Sequence, residues 1–320
     1  MTAAPVLSPN AKLSGVRLKV ASLPIASLAG LAGLAGLAGA PLFAQEPVRP
    51  DANRPVASAG NAVWAATYDA ARKLAAGEDK LVFVEFDGGR ECGQCQRMDT
   101  LLYPAFDFEA LLISMVPVKV LLDSEEGKQL AERYSIDQTP AVLITTPEGR
   151  LAFLMQGFTN APEFYQQAHA DLDAYRKFAR RSEAQDIANL SAQEALETGV
   201  ELYQRLDPGA ALPRLKRAVS APGGAPGLRD EAREQLAAVQ LELGQTAAAR
   251  ATTEALLKST RDPGRRERAE IFRAQLPLHE GKPELALKLL QKFVADHPKS
   301  AHAKQVQRII DTLTGAPKSS

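Results

Sequence analysis

The chain has 320 residues, 45% hydrophobic and 24% charged, a composition of ordinary folded domains that excludes wholesale disorder. Its 38 Lys and Arg balance 38 Asp and Glu, and no block of one sign stands out, which sets aside a nucleic-acid binder. Lys12, Arg17 and Lys19 are the only charges before Glu46. The remainder is therefore mildly acidic.

A basic start, an uncharged Leu/Ala/Gly-rich stretch from Val20 to Ala44 and a small residue before a polar segment predict a secretory signal peptide over residues 1–44. An uncleaved membrane anchor is the alternative, since about 20 apolar residues span a bilayer. No Cys stands directly after the apolar run, so no lipid-attachment site is expected there. Either reading places the rest of the chain outside the cytoplasm, periplasmic or secreted, where disulfides form. Residues 45–60, with Pro47, Pro50 and Pro55, read as a linker.

A first domain is expected over residues 61–181. Trp64, Tyr68, Ala71 and Leu74 recur at helical spacing and predict one face of a first helix. Leu81 to Phe86 is an apolar run of strand length, as a strand buried on both faces requires. A helix should begin at Cys92, another should run from Phe106 to Ser114, and Val116 to Leu122 should be a strand. Glu125 to Tyr134 predicts a helix; Ala141 to Thr145 and Arg150 to Met155 predict a hairpin around Pro147-Glu148-Gly149; Ala161 to Phe178 predicts a closing helix. Helices interleaved with strands imply an α/β sheet with helices on both faces. Trp64, Phe83, Phe86 and Phe106 are expected in its core.

The chain has two cysteines, in Cys92-Gly93-Gln94-Cys95, between a predicted strand and a predicted helix. A helix N-terminus offers free N–H groups and the positive end of the macrodipole, which favours a thiolate at the first cysteine. Lowering a thiol pKa from about 8.5 to about 7 raises its thiolate fraction at neutral pH from roughly 3% to roughly 50%. The accompanying loss of nucleophilicity is only about fivefold, so attack is faster overall. Cys92 is thus the attacking thiol and Cys95 the resolving one. Zinc would need about four ligands, and His169, His279, His297 and His302 lie far downstream without metal-type pairing. A purely structural disulfide stays open, although closing so short a loop constrains the unfolded chain little.

Strand, Cys-x-x-Cys, helix, then Thr139-Pro140 entering a strand, then Gly157 after the next strand: this order resembles the thioredoxin superfamily, and most of all exported thioredoxin-like proteins with an extended helix before the first core strand. The resemblance implies that Pro140 is cis beside the disulfide, with the Thr139 backbone free to bond an extended substrate peptide; an ordinary trans turn proline is the alternative. It also implies that Glu85, seven positions before Cys92, is the buried proton acceptor for the second cysteine, its pKa raised by burial. A strand-end carboxylate reaching solvent or a Lys is the alternative. Glu91 stands where many members have Trp, and Gln94 replaces the proline of Cys-Gly-Pro-Cys. These departures question broad substrate specificity and lean toward a reductase or an intermediate potential.

After Ser182 the strand signal vanishes. Ala237, Gly244 and Ala249 recur as Ala274, Gly281 and Ala286, a period of 37, and Pro298 closes the later unit. This resembles tetratricopeptide repeats, with a poorer match near Pro208, Gly209 and Ala211 and a capping helix at Lys304 to Leu313. About three helical hairpins over residues 183–315 are expected; a generic helical bundle is the alternative. Together these readings imply an exported thiol-disulfide oxidoreductase. It would use no cofactor beyond the Cys92–Cys95 pair and would act on protein thiols or disulfides, with an unidentified redox partner and a protein bound to the repeats. The competing class is an envelope adaptor with a structural disulfide.

Overall fold

The computed structural model describes residues 63–315, so the expected leader over 1–44 and linker over 45–60 lie outside the described residues. The chain divides into two units between Ala179 and Arg180. The first holds α1 (Tyr68–Glu78), β1 (Leu81–Asp87), α2 (Gly93–Leu101), α3 (Phe106–Leu112), β2 (Met115–Leu121), α4 (Glu125–Tyr134), β3 (Ala141–Thr145) and β4 (Leu151–Gln156), then α5 (Ala161–Ala184), within which the division falls. The four strands form one mixed sheet in the order β2-β1-β3-β4. β1 and β2 are parallel and the other pairs antiparallel. Pro117, which has no N–H to give a ladder, lies in the edge strand β2.

Side chains alternate between the faces of a strand. Phe83 and Glu85 of β1 lie opposite Ile144 and Val142 of β3 and so share one face. On that face Phe83, Val142, Ile144 and Phe153 pack with Met98 of α2, Phe108 of α3 and Phe164 and Leu172 of α5. Burying each such aromatic or Leu side chain contributes about 1.5–3 kcal/mol. The opposite face carries Thr145, whose hydroxyl lies 3.0 Å from that of Tyr68 in α1; Tyr68 also lies 3.1 Å from the hydroxyl of Tyr134 in α4.

Two core expectations need correction. The first helix begins only at Tyr68, because Thr67 caps it by accepting the N–H of Ala70. Its buried face is Tyr68, Ala71 and Ala75, and Leu74 is exposed. Trp64 precedes the helix, in a segment where Ala65 N–H bonds the Pro117 carbonyl, and its ring meets Phe83 and Tyr103 edge-on. Phe106 is 81% exposed, since it opens α3 on the side away from Phe108, Leu111 and Leu112, which fill the core.

The second unit is all helix: α6 (Ala192–Gln204), α7 (Pro208–Ser220), α8 (Pro226–Glu242), α9 (Thr246–Ser259), α10 (Pro263–His279), α11 (Pro283–Asp296) and α12 (Ala303–Thr314). Helices α8 and α9 have 17 and 14 residues, and α10 and α11 repeat those lengths. Gly244 and Gly281 make the two turns at φ +72° and +71°, a region that favours glycine. The turn between α6 and α7 uses Leu206 at φ +61° instead, which is why no glycine marks it. Ala237, Ala249, Ala274 and Ala286 are all buried, and α12 inserts Val306 and Ile310 against Ala274, Leu290 and Phe293.

Candidate active site

β1 ends at Asp87, and the loop after it delivers Cys92 to the N-cap of α2. Cys92 and Cys95 are disulfide-bonded. The Cys92 sulfur accepts the Cys95 N–H at 3.2 Å, so it sits where the free N–H groups of the first turn converge. Cys92 is partly exposed and Cys95 fully buried. The Cys95 sulfur accepts the Gly88 N–H at 3.4 Å. A Cβ at Gly88 would lie 2.4 Å from Thr139 Oγ1 and 3.1 Å from Cys92 Cβ. Only a glycine lets the loop run this close to the disulfide.

Thr139-Pro140 is a cis peptide that leads into β3. Thr139 Oγ1 lies 3.8 Å from Cys92 Sγ, so the structure brings the Thr139-Pro140 pair to the cysteines. Gly157, at φ +80°, donates its N–H to the Pro140 carbonyl at 2.8 Å and ties the end of β4 to this loop. The Gln156 side chain braces the same loop, accepting from Asp137 N–H and donating to the Ser135 carbonyl. Beside it opens a cavity of about 350 Å³, lined among others by Gln94, Gln138, Gly157, Phe158 and Asn160.

Beneath α2 lies a buried polar cluster. Glu85 is fully buried and projects from β1 onto the face that α2 covers. Lys119 stands beside it in the β1–β2 register, with Nζ 3.0 Å from Glu85 Oε1, 3.7 Å from Asp87 Oδ2 and 2.9 Å from Asp99 Oδ1. The Tyr103 hydroxyl donates to Glu85 Oε2. Asp87 Oδ1 accepts the Gly89 N–H at 2.8 Å. Burial pushes the Glu85 carboxyl up to about 7, with the Lys119 charge and the Tyr103 bond pulling the other way. Burial would lower the Lys119 ammonium, but the charges of Glu85 and Asp99 outweigh it and raise it. Asp99 lies one helical turn beyond Cys95, so its ion pair with Lys119 joins the cluster to the side of α2 that carries Cys95.

Sequence reasoning named Cys92, Cys95, Glu85, Thr139 and Pro140, and missed Gly88, Asp99, Tyr103 and Lys119. Lys119 had a usable signal. It is the lone charge in an otherwise apolar strand, as Glu85 interrupts the neighbouring one, and such charges pair across a sheet. Among the described residues no cluster of three or more His, Cys, Asp or Glu could hold a metal ion.

A family model described as a thioredoxin-like domain matches residues 68–170. Among solved structures the chain is similar to a thioredoxin from Thermus thermophilus, at 26% identity, covering 35% of this chain and 87% of that one, with a TM-score of 0.32. It is also similar to a DsbH oxidoreductase, at 21% identity, covering 38% and 90%, with a TM-score of 0.32. No curated protein matches the chain. A thioredoxin-like domain thus precedes an all-helical region. Its Cys-x-x-Cys disulfide supports a general thiol oxidoreductase kind of activity.

Proposed function

We propose that the protein is an exported thiol-disulfide oxidoreductase that exchanges electrons with protein substrates through Cys92 and Cys95. The observation that carries this reading is the asymmetry of the pair: Cys92 is partly exposed at a helix N-terminus, and Cys95 is buried. In the reducing direction the Cys92 thiolate attacks a substrate disulfide, forms a mixed disulfide and releases one substrate thiolate. The Cys95 thiol then gives its proton to Glu85. The resulting Cys95 thiolate attacks Cys92 Sγ, closing the Cys92–Cys95 disulfide and releasing the second substrate thiolate. Two electrons pass from the pair to the substrate, and a redox partner of the chain returns them. Run backwards, the same steps oxidise a dithiol. The chemistry uses no cofactor beyond the pair.

The Thr139-Pro140 segment and the neighbouring cavity give an extended substrate a place to lie beside Cys92. The repeating α8–α11 hairpins support a tetratricopeptide-like surface for a partner protein. Tethering such a surface to the thiol site raises the effective concentration of a chosen substrate. The basic, then apolar, then small-residue pattern of residues 1–44 supports export, with membrane anchoring if the leader is retained.

Equilibrating the pair against a glutathione couple and quantifying both forms by mass after alkylation tests the proposal. A reversible potential between about −270 and −120 mV, the span of active members, is expected. A potential below about −300 mV marks a structural disulfide and overturns the proposal.

A further inference from the structure

The carboxylate assigned above as proton acceptor is gripped by a residue that no motif marks. Tyr103 follows α2 and is 1% exposed. Its ring is clamped between Trp64 and Phe108, with centroids at 5.6 and 4.7 Å. Lys119 Nζ lies 5.4 Å from the ring centroid, so the ring also bounds the ammonium that pairs with Glu85. Held this way, the phenol directs its proton to Glu85 Oε2. A buried tyrosine hydroxyl donating to a carboxylate stabilises the charged form over the protonated one.

We propose that Tyr103 is a positioning residue for the exchange reaction: its hydroxyl fixes the Glu85 carboxylate and sets the pH at which Glu85 can take the Cys95 proton. The inference rests on the reading of Glu85 as that acceptor. The charged and titratable groups around Glu85 are Lys119 on β2, Tyr103, Asp99 on α2 with Cys95 one turn before it, and Asp87 on its own strand, which shares Lys119. Its register partner on β3 is the apolar Val142. Lys119 is bound to Asp99 as well as Glu85 and keeps its place if the phenol is lost. Tyr103→Phe therefore removes one donor and leaves the charges intact.

Resolution of a Cys92 mixed disulfide with a small thiol probe is followed by rapid alkylation quench across roughly pH 5 to 9 in three proteins: unaltered, Glu85→Gln and Tyr103→Phe. The unaltered rate should rise with a midpoint near the Glu85 value of about 7. Glu85→Gln should abolish that rise. Tyr103→Phe should keep it but move its midpoint up by about one unit; the carboxylate fraction at pH 7 then drops from about a half to about a tenth, a roughly fivefold loss. A Tyr103→Phe midpoint equal to that of the unaltered protein overturns the inference while leaving the Glu85 reading intact. A rise that survives Glu85→Gln overturns both.

Infrared titration of the oxidised protein supplies a second measurement. The protonated carboxyl band, identified by its loss in Glu85→Gln, should titrate at higher pH and shift in frequency in Tyr103→Phe. An unshifted band overturns the inference even if the variant is impaired in turnover.

Discussion

Glu85→Gln should stabilise the thioredoxin-like domain, and by an amount that depends on pH in a defined way. The ordinary glutamate value is 4.5, and burial raises Glu85 to about 7 in the folded chain. The folded state therefore holds this proton more tightly than the unfolded one. Its stabilising effect is complete below pH 4.5, declines as the pH rises, and is gone above about 7. The rise from 4.5 to about 7 amounts, at about 1.36 kcal/mol per pH unit, to roughly 3 kcal/mol. Gln cannot ionise, still accepts from Tyr103 and leaves Lys119 its contact with Asp99. The stability gap between variant and parent should thus widen in the variant's favour by about 3 kcal/mol between pH 4 and pH 8. A constant offset from packing does not alter that slope. The assay is urea unfolding followed by fluorescence of Trp64, the one tryptophan in the chain, which sits against Phe83 and Tyr103 and so reports this domain. A gap that stays flat with pH, or narrows toward alkaline pH, refutes the reasoning.

Alkylation of the reduced protein at neutral pH should modify Cys92 well before Cys95, because Cys95 is fully buried; equal rates, read by peptide mass, remove the assigned roles. Gly88→Ala should cost about 1–3 kcal/mol through overpacking, since its Cβ would lie 2.4 Å from Thr139 Oγ1. Adding Thr139→Ala should restore part of that loss in a double-mutant cycle; strict additivity would show that the contact is relieved elsewhere. With Cys95→Ser, partners should accumulate as Cys92 mixed disulfides, and removing residues 183–320 should reduce that capture severalfold while reaction with a small disulfide stays similar. Unchanged capture by the shortened protein would show that the helices do not select substrates.

How much of this was legible follows from what each feature leaves in a sequence. The fold class was readable because strand-length apolar runs alternate with helical periodicity, and because Gly244 and Gly281 mark equivalent turns. Cys92, Cys95, Thr139 and Pro140 stood out because their chemistry or backbone is rare at such spacing. The helix start was misjudged because periodicity cannot see a cap: Trp64 falls on the same stripe as Tyr68, but the Thr67 side chain begins the helix after it. Phe106 was misjudged because composition counts an aromatic as apolar wherever it points. Gly88, Asp99 and Tyr103 act through contacts between separate elements, and a tyrosine or glycine carries no sequence mark of the partner it will meet.

On the proposed reading of Glu85 as proton acceptor, the buried cluster also gives Lys119 a part in the exchange. Lys119 Nζ lies 3.0 Å from Glu85 Oε1, 3.7 Å from Asp87 Oδ2 and 2.9 Å from Asp99 Oδ1. No member of the cluster is more than 22% exposed, so burial there penalises charge. Glu85 is pushed upward to about 7 by complete burial. Without Lys119 the same burial would drive Glu85 further up, and it would stay protonated and unable to accept from Cys95. Without the burial, Lys119 would hold Glu85 ionised, too weak a base to take a thiol proton. The opposed pulls leave the carboxyl half-ionised near neutral pH, the condition under which one group can both take and return the proton of a reversible exchange.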